Sequence, residues 1–174
     1  MGYKVVKGGY YLFYHGQRRV GSKPDGDSVW FKPDDPAGLR GLQGRNAKFN
    51  GGGFANLRLE GIDALEIHFQ QTHQEPKDGL AARDFLLKAA GFESVEYAPA
   101  QDNMSMTVRT ASPHPLTGYI LTRSIDPYGR PVAFAFTGDP EEKDGQNTWL
   151  DVARMNQSLN VKLMRAGHVY PAFY

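Results

Sequence analysis

Carboxylates set in short clusters punctuated by turns are the residues of this chain best suited to chemistry. In Pro24-Asp25-Gly26-Asp27-Ser28 a glycine turn separates two aspartates just ahead of a strand-like stretch. Gly61-Ile62-Asp63-Ala64-Leu65-Glu66 directly follows a stretch that carries Arg58, and Asp126-Pro127-Tyr128-Gly129-Arg130 is a tight turn that presents an arginine. Taken singly, Asp-Gly is a common turn and an aspartate after a strand can simply cap it. Taken together, two aspartates and backbone oxygens suit a hard cation such as Ca2+, and a glutamate nearby suits a general base. Two arginines suit a phosphate, because the planar guanidinium donates two parallel hydrogen bonds to its oxygens. Those are the parts of a phosphodiester hydrolase.

Other chemistries have less support. His68 and His73 are five residues apart, which misses the i, i+4 pairing of a helical zinc site, and the other three histidines are scattered. No Gly-x-Ser-x-Gly elbow occurs, and the absence of cysteine excludes thiol nucleophiles, iron–sulfur clusters and disulfide frameworks. Gly38, Gly41 and Gly44 are evenly spaced but lack the Gly-Lys-Ser/Thr ending and following helix of a phosphate loop.

The elements that must position the carboxylates follow from periodicity. Ala55, Leu57 and Leu59 alternate with Asn56, Arg58 and Glu60, so residues 55–60 form a strand with the arginine turned away from the apolar face. Strands are also expected over 10–14, 28–32, 94–98, 104–109, 119–123 and 131–137. A helix is expected over 79–90, capped by Asp78, striped by Leu80, Phe85, Leu86 and Ala89, and closed by Gly91-Phe92. A second helix over 148–166 starts from the capping pattern Thr148-Trp149-Leu150-Asp151. Without βαβ alternation, this order indicates an α+β domain, mainly β, built on a small antiparallel barrel.

With 174 residues, 40% of them apolar, the chain is the size of one self-sufficient domain, and its 20 Gly and 11 Pro point to many turns. Net charge is +1, yet residues 1–60 carry ten basic and five acidic side chains while the remaining 114 carry ten and fourteen. A local positive field of this kind steers anionic ligands even when the sum is near zero. No apolar run is long enough to span a membrane, and the first residues lack the apolar core of a secretory signal. The chain as it stands is therefore expected to stay in the cytoplasm; a leader removed beforehand would make it secreted.

In order along the chain, these motifs resemble the staphylococcal nuclease-like family. Asp25-Gly26-Asp27-Ser28-Val29 is similar to its Asp-Gly-Asp strand entry, and Leu57 through Glu66 to its Arg-Leu-x-Gly-Ile-Asp-x-Pro-Glu segment. Gly79 with Ala82-Arg83-Asp84-Phe85-Leu86 resembles the family helix, Asp126 through Phe134 its Asp-x-Tyr-Gly-Arg turn, and Asn160 with Leu163 through Gly167 its last helix. The resemblance covers residues 20–174 as a single domain, with inserted loops at 33–53 and 101–117 and residues 1–19 as an extension or additional strand. It implies a five-stranded OB-fold barrel with two to three packed helices. It also implies a monomeric Ca2+-dependent nuclease that attacks single-stranded or frayed DNA or RNA with water and leaves 3′-phosphate ends.

By the same resemblance, Asp27, Asp63 and the Ala64 main-chain carbonyl hold the metal, supported by Asp25. Glu66 activates the water, Arg58 and Arg130 stabilise the phosphate, and Tyr128 lies beside the nucleotide. Leu65 stands where the family has proline, which removes a backbone constraint before Glu66. The rival reading is a catalytically inactive OB module that binds single-stranded nucleic acid or a protein partner. Its candidate stacking residues are Tyr10, Tyr11, Phe13, Tyr14, Trp30 and Tyr128, against the plainer expectation that a barrel keeps its aromatics in the core.

Overall fold

The structure, a computed structural model, describes residues 2–65, 76–98 and 107–172. Glu66, His68 and His73, and the start of the strand expected over 104–109, lie outside them. The first strand, β1 (Tyr3–Tyr11), is followed by a small hairpin of β2 (Phe13–His15) and β3 (Arg19–Gly21), then β4 (Trp30–Pro33). The loop expected over 33–53 contains a short 3-10 turn (Pro36–Leu39) and β5 (Gln43–Gly44). Next come β6 (Ala55–Asn56), β7 (Arg58–Leu59) and β8 (Ile62–Asp63). Helix α1 (Pro76–Ala90) leads to the pair β9 (Ser94–Tyr97) and β10 (Val108–Ser112), and then to the long hairpin of β11 (Leu116–Ile125) and β12 (Pro131–Thr137). The chain ends with β13 (Asn147–Thr148), α2 (Val152–Met155), α3 (Leu159–Arg165) and β14 (Tyr170–Pro171).

The main sheet runs in the order β6-β4-β1-β11-β12-β7. Along this order all neighbours are antiparallel except β12 and β7, which are parallel; off it, β13 pairs antiparallel with β1 and β5 parallel with β11. Its two edges belong to one extended segment, residues 55–59, interrupted only at Leu57, whose N–H donates to the Val29 carbonyl at 2.9 Å. The first half of that segment pairs with β4 and the second half with β12, so the sheet curls into a nearly closed barrel. Alternation along the segment is as the sequence predicts: Ala55, Leu57 and Leu59 are fully buried, while Asn56 is exposed and Arg58 and Glu60 are half-buried.

Residues 3–11, within the stretch expected as an extension or additional strand, form a central strand paired on one side with β4 and on the other with β11. Two expectations change. The helix expected over 148–166 is two short helices, each with its own cap: Asp151 accepts from the Arg154 N–H and Ser158 from the Val161 N–H. Helix α1 starts earlier than expected, which puts Asp78 inside its first turn rather than at its cap. It buries Ala82, Arg83, Leu86 and Leu87, whereas Leu80, Phe85 and Ala89 are only half-buried.

Asn160 joins α3 to the barrel. Its side chain is 1% exposed, accepts from the Ala135 N–H at 3.0 Å, and donates to the carbonyls of Glu60 and Ala133 at 2.8 and 3.0 Å. Asn160→Ala leaves the Ala135 N–H and the Glu60 carbonyl without these partners. It should cost about 2–4 kcal/mol of unfolding free energy, read from the urea midpoint.

Candidate active site

Four separate segments converge on one cleft of about 780 Å³ whose walls include Asp25, Asp27, Arg58, Asp63, Tyr128 and Arg130. Asp27 is placed by the main chain, its carbonyl accepting from the Leu59 N–H at 3.0 Å. Gly26 makes that approach possible: a Cβ there would lie 2.6 Å from the Ala82 methyl of α1 and 2.7 Å from that of Ala64. Only glycine fits between the helix and the strand without displacing both, so the Asp-Gly-Asp spacing has a packing cause. Asp25 folds back, accepting from the Gly26 N–H at 2.8 Å.

Arg58 lies between the two aspartates. Its Nη1 bonds Asp27 Oδ2 and its Nη2 donates to Asp63 Oδ1 at 2.6 Å. Asp27 is buried and Asp63 largely exposed, so the guanidinium bridges the floor of the cleft and its rim. Ala64, also buried, donates its N–H to Asp27 Oδ2 at 3.3 Å. Arg130 is held differently. Asp126 Oδ1 accepts from the N–H groups of Tyr128 and Arg130 at 2.9 and 2.8 Å, and its Oδ2 accepts from Arg130 Nε at 2.7 Å. Gly129 supplies the turn with φ of +89°. Arg130 is thus gripped by Nε, and among the described residues its two Nη groups make no hydrogen bond. Tyr128 is 71% exposed at the same turn.

Glu60 and Arg123, which sequence reasoning did not single out, complete the wall. Glu60 Oε1 accepts from the Tyr3 hydroxyl at 3.0 Å and from Arg123 Nη2 at 2.8 Å. Its Oε2 is buried without a hydrogen-bond partner among the described residues. Glu60 had a visible signal, sharing the polar face of its strand with Arg58; Arg123 had none.

Burial is the largest influence on Asp27 and raises its carboxyl from 3.8 to about 6; Arg58 and the Ala64 N–H oppose the rise, and Asp25 adds to it. Burial also works against ionisation of Asp126, but the hydrogen bonds from Arg130 and Tyr128 outweigh it and hold that carboxyl below its usual value. A proton held more tightly on folded Asp27 than on the unfolded chain stabilises the fold fully below about pH 3.8 and is lost as pH rises through about 6. The loss is on the order of 2–3 kcal/mol. Thermal melts in chelator from about pH 4 to pH 7 should therefore show a steeper decline for the wild type than for Asp27→Asn.

Asp27 and Asp63, the two side chains expected to hold a metal, lie at either end of the Arg58 guanidinium. Among the described residues no cluster of three or more His, Asp or Glu gathers for one. Two carboxylates nonetheless fit a hard divalent cation in donor type and charge, the rest of its six to eight positions falling to main-chain oxygen and water. The charge of the whole cleft agrees. Five carboxylates face three guanidiniums there, an excess of negative charge that one divalent cation balances.

No protein-family model matches the chain, and no curated protein matches it.

Proposed function

We propose that this protein is a Ca2+-dependent nuclease of the staphylococcal nuclease-like kind, hydrolysing phosphodiester bonds in DNA or RNA by attack of water and release of the 5′ oxygen. The observation that carries the reading is the convergence of Asp27, Arg58, Asp63 and Arg130, spread over more than a hundred positions of sequence, on one cleft. The strand order supports the OB-fold part of it. Taken as five strands, the barrel places the first beside the second and fourth, and the third parallel to the fifth, which is the order of an OB barrel.

Asp27 and Asp63 would hold the cation, which when bound neutralises phosphate charge and polarises a water. Arg130 offers its two Nη groups to a phosphate while Asp126 fixes the guanidinium plane by Nε. Arg58, in the lining of the same cleft, would reach the phosphate once it no longer serves as counter-ion to the two aspartates. Glu66, three residues beyond Asp63, takes the proton of the attacking water. Tyr128 lies open beside the nucleotide.

A cation and Arg58 compete for the same carboxylates, and Asp27 must be ionised for the cation to win. Added Ca2+ should therefore raise the melting temperature more at about pH 7.5 than at about pH 5. An equal rise at both would remove Asp27 from the ligand set. The reaction itself is read by mass spectrometry of a defined oligonucleotide after digestion. Fragments carrying 3′-phosphate are expected from both DNA and RNA, and 5′-phosphate fragments would contradict the mechanism.

A further inference from the structure

Outside the cleft, the barrel surface carries a second cluster that the proposed chemistry does not use. Trp30 and Lys32 share one side of β4, whose first residue lies two positions beyond Ser28 of the cleft wall. In the neighbouring β6 Asn56 lies directly opposite Trp30, with Phe54 just ahead of that strand. Trp30 stacks on Phe54 with ring centres 5.7 Å apart and planes within 11°. Tyr11 and Tyr14 lie 4.7 and 5.1 Å from the same ring, and Lys32 Nζ stands 5.5 Å over it. Beside them Phe13 stacks on His114 at 3.9 Å, with the Arg19 guanidinium 4.1 Å from its centre.

These rings are not simply core. Tyr10 and Phe31 are fully enclosed, and the Tyr10 hydroxyl is spent on the Tyr119 and Phe136 carbonyls, which removes it from the candidate stackers. Phe54 is the buried base of the cluster, whereas Tyr11, Phe13, Tyr14 and Trp30 keep part of their surface in solvent. A slot of about 320 Å³ opens among Tyr11, Tyr14, Phe54, Lys32 and His114, bordered by Gly51 and Gly52 and lined by no carboxylate. Flat aromatic faces beside cations, in a slot without a carboxylate in its lining, match a chain of phosphates with unpaired bases.

We infer that this strip is a stacking platform for single-stranded nucleic acid running out of the cleft. The direction of the strand rests on the nuclease reading, with the scissile phosphate at Arg58 and Arg130. Phe54 is four residues from Arg58, about 13 Å at ~3.3 Å per residue of strand, a distance that a few extended nucleotides cover. Duplex does not satisfy the site, because its base faces are already stacked on one another.

The chain has two tryptophans, so Trp149→Phe leaves Trp30 as the only fluorescent indole. In chelator, an oligothymidylate of about twelve nucleotides should quench Trp30 as it binds, and Tyr14→Ala should weaken binding about tenfold. Lys32→Ala, an exposed change that leaves the packing intact, should weaken it too and reduce its salt dependence. No binding, an unquenched Trp30 at saturation, or equal affinity for duplex of the same length overturns the platform. Quenching by a protein that cuts nothing in Ca2+ upholds the platform and sinks the nuclease reading alone.

Discussion

Arg130→Ala should lower the rate of phosphodiester cleavage by about 10²–10³ while lowering the melting temperature by only about 2–4 °C. The rate effect follows from what its Nη groups would touch. Among the described residues they make no hydrogen bond, and on the proposed reading charge would build on a phosphate beside them during attack. A modest loss of stability follows from what the side chain touches now: its guanidinium pairs with Asp126 within its own turn and lies 5.5 Å from the Tyr128 ring, and its removal leaves the largely buried Asp126 carboxylate with two main-chain N–H donors. Arg58→Ala would mix the two effects, because it strips the counter-ion from buried Asp27. Arg130→Lys is a useful companion, since lysine keeps the charge but loses the fork and the Nε grip; it should recover only part of the rate. Asp126→Ala should resemble a weaker version of the same defect. Initial rates on denatured DNA at saturating substrate, beside thermal melts, read all three.

Glu66→Gln should cost about 10²–10⁴ in kcat, the usual contribution of a positioned general base, with KM little changed. Glu60 makes this more than a single-residue test. It is a carboxylate in the cleft wall with one buried oxygen left unpartnered among the described residues, so it is the alternative proton acceptor. Its other oxygen is committed to Tyr3 and Arg123, which suits a structural anchor better than a base that must exchange protons with solvent. Glu60→Gln should accordingly leave the rate within a few-fold. The reverse pair of results, full activity in Glu66→Gln and loss in Glu60→Gln, would move the base to Glu60.

The parts of the site that could be read in sequence are local. The alternation around Arg58 sets which way its side chain points, and a glycine between two aspartates turns out to be wedged between α1 and Ala64. The Asp126 turn is likewise self-contained, five residues that position their own arginine. What could not be read depends on register between distant strands. Tyr3 meets Glu60 across 57 positions, and Arg123 joins them only because β11 lies between β1 and β12 in the sheet. The central strand β1 was obscured for a different reason. Val6 packs into the barrel while its neighbour Val5 packs on the other side against Tyr119, Leu121 and Phe136. From Val6 to Tyr11 burial does alternate, but two of those positions are Gly8 and Gly9, which have no side chain to carry the period of two by which a strand is recognised. The C-terminal helices were merged because apolar spacing alone does not reveal that Ser158 starts a new cap.

The central claim is that the cleft hydrolyses nucleic acid only when a divalent cation joins Asp27 and Asp63. Its most direct test is the initial rate of fragment release from denatured DNA by the wild-type protein as free Ca2+ is raised from chelator to millimolar. The rate should be at background in chelator and rise to a plateau as a single site fills. A rate that is the same with and without Ca2+, or background throughout, would contradict it.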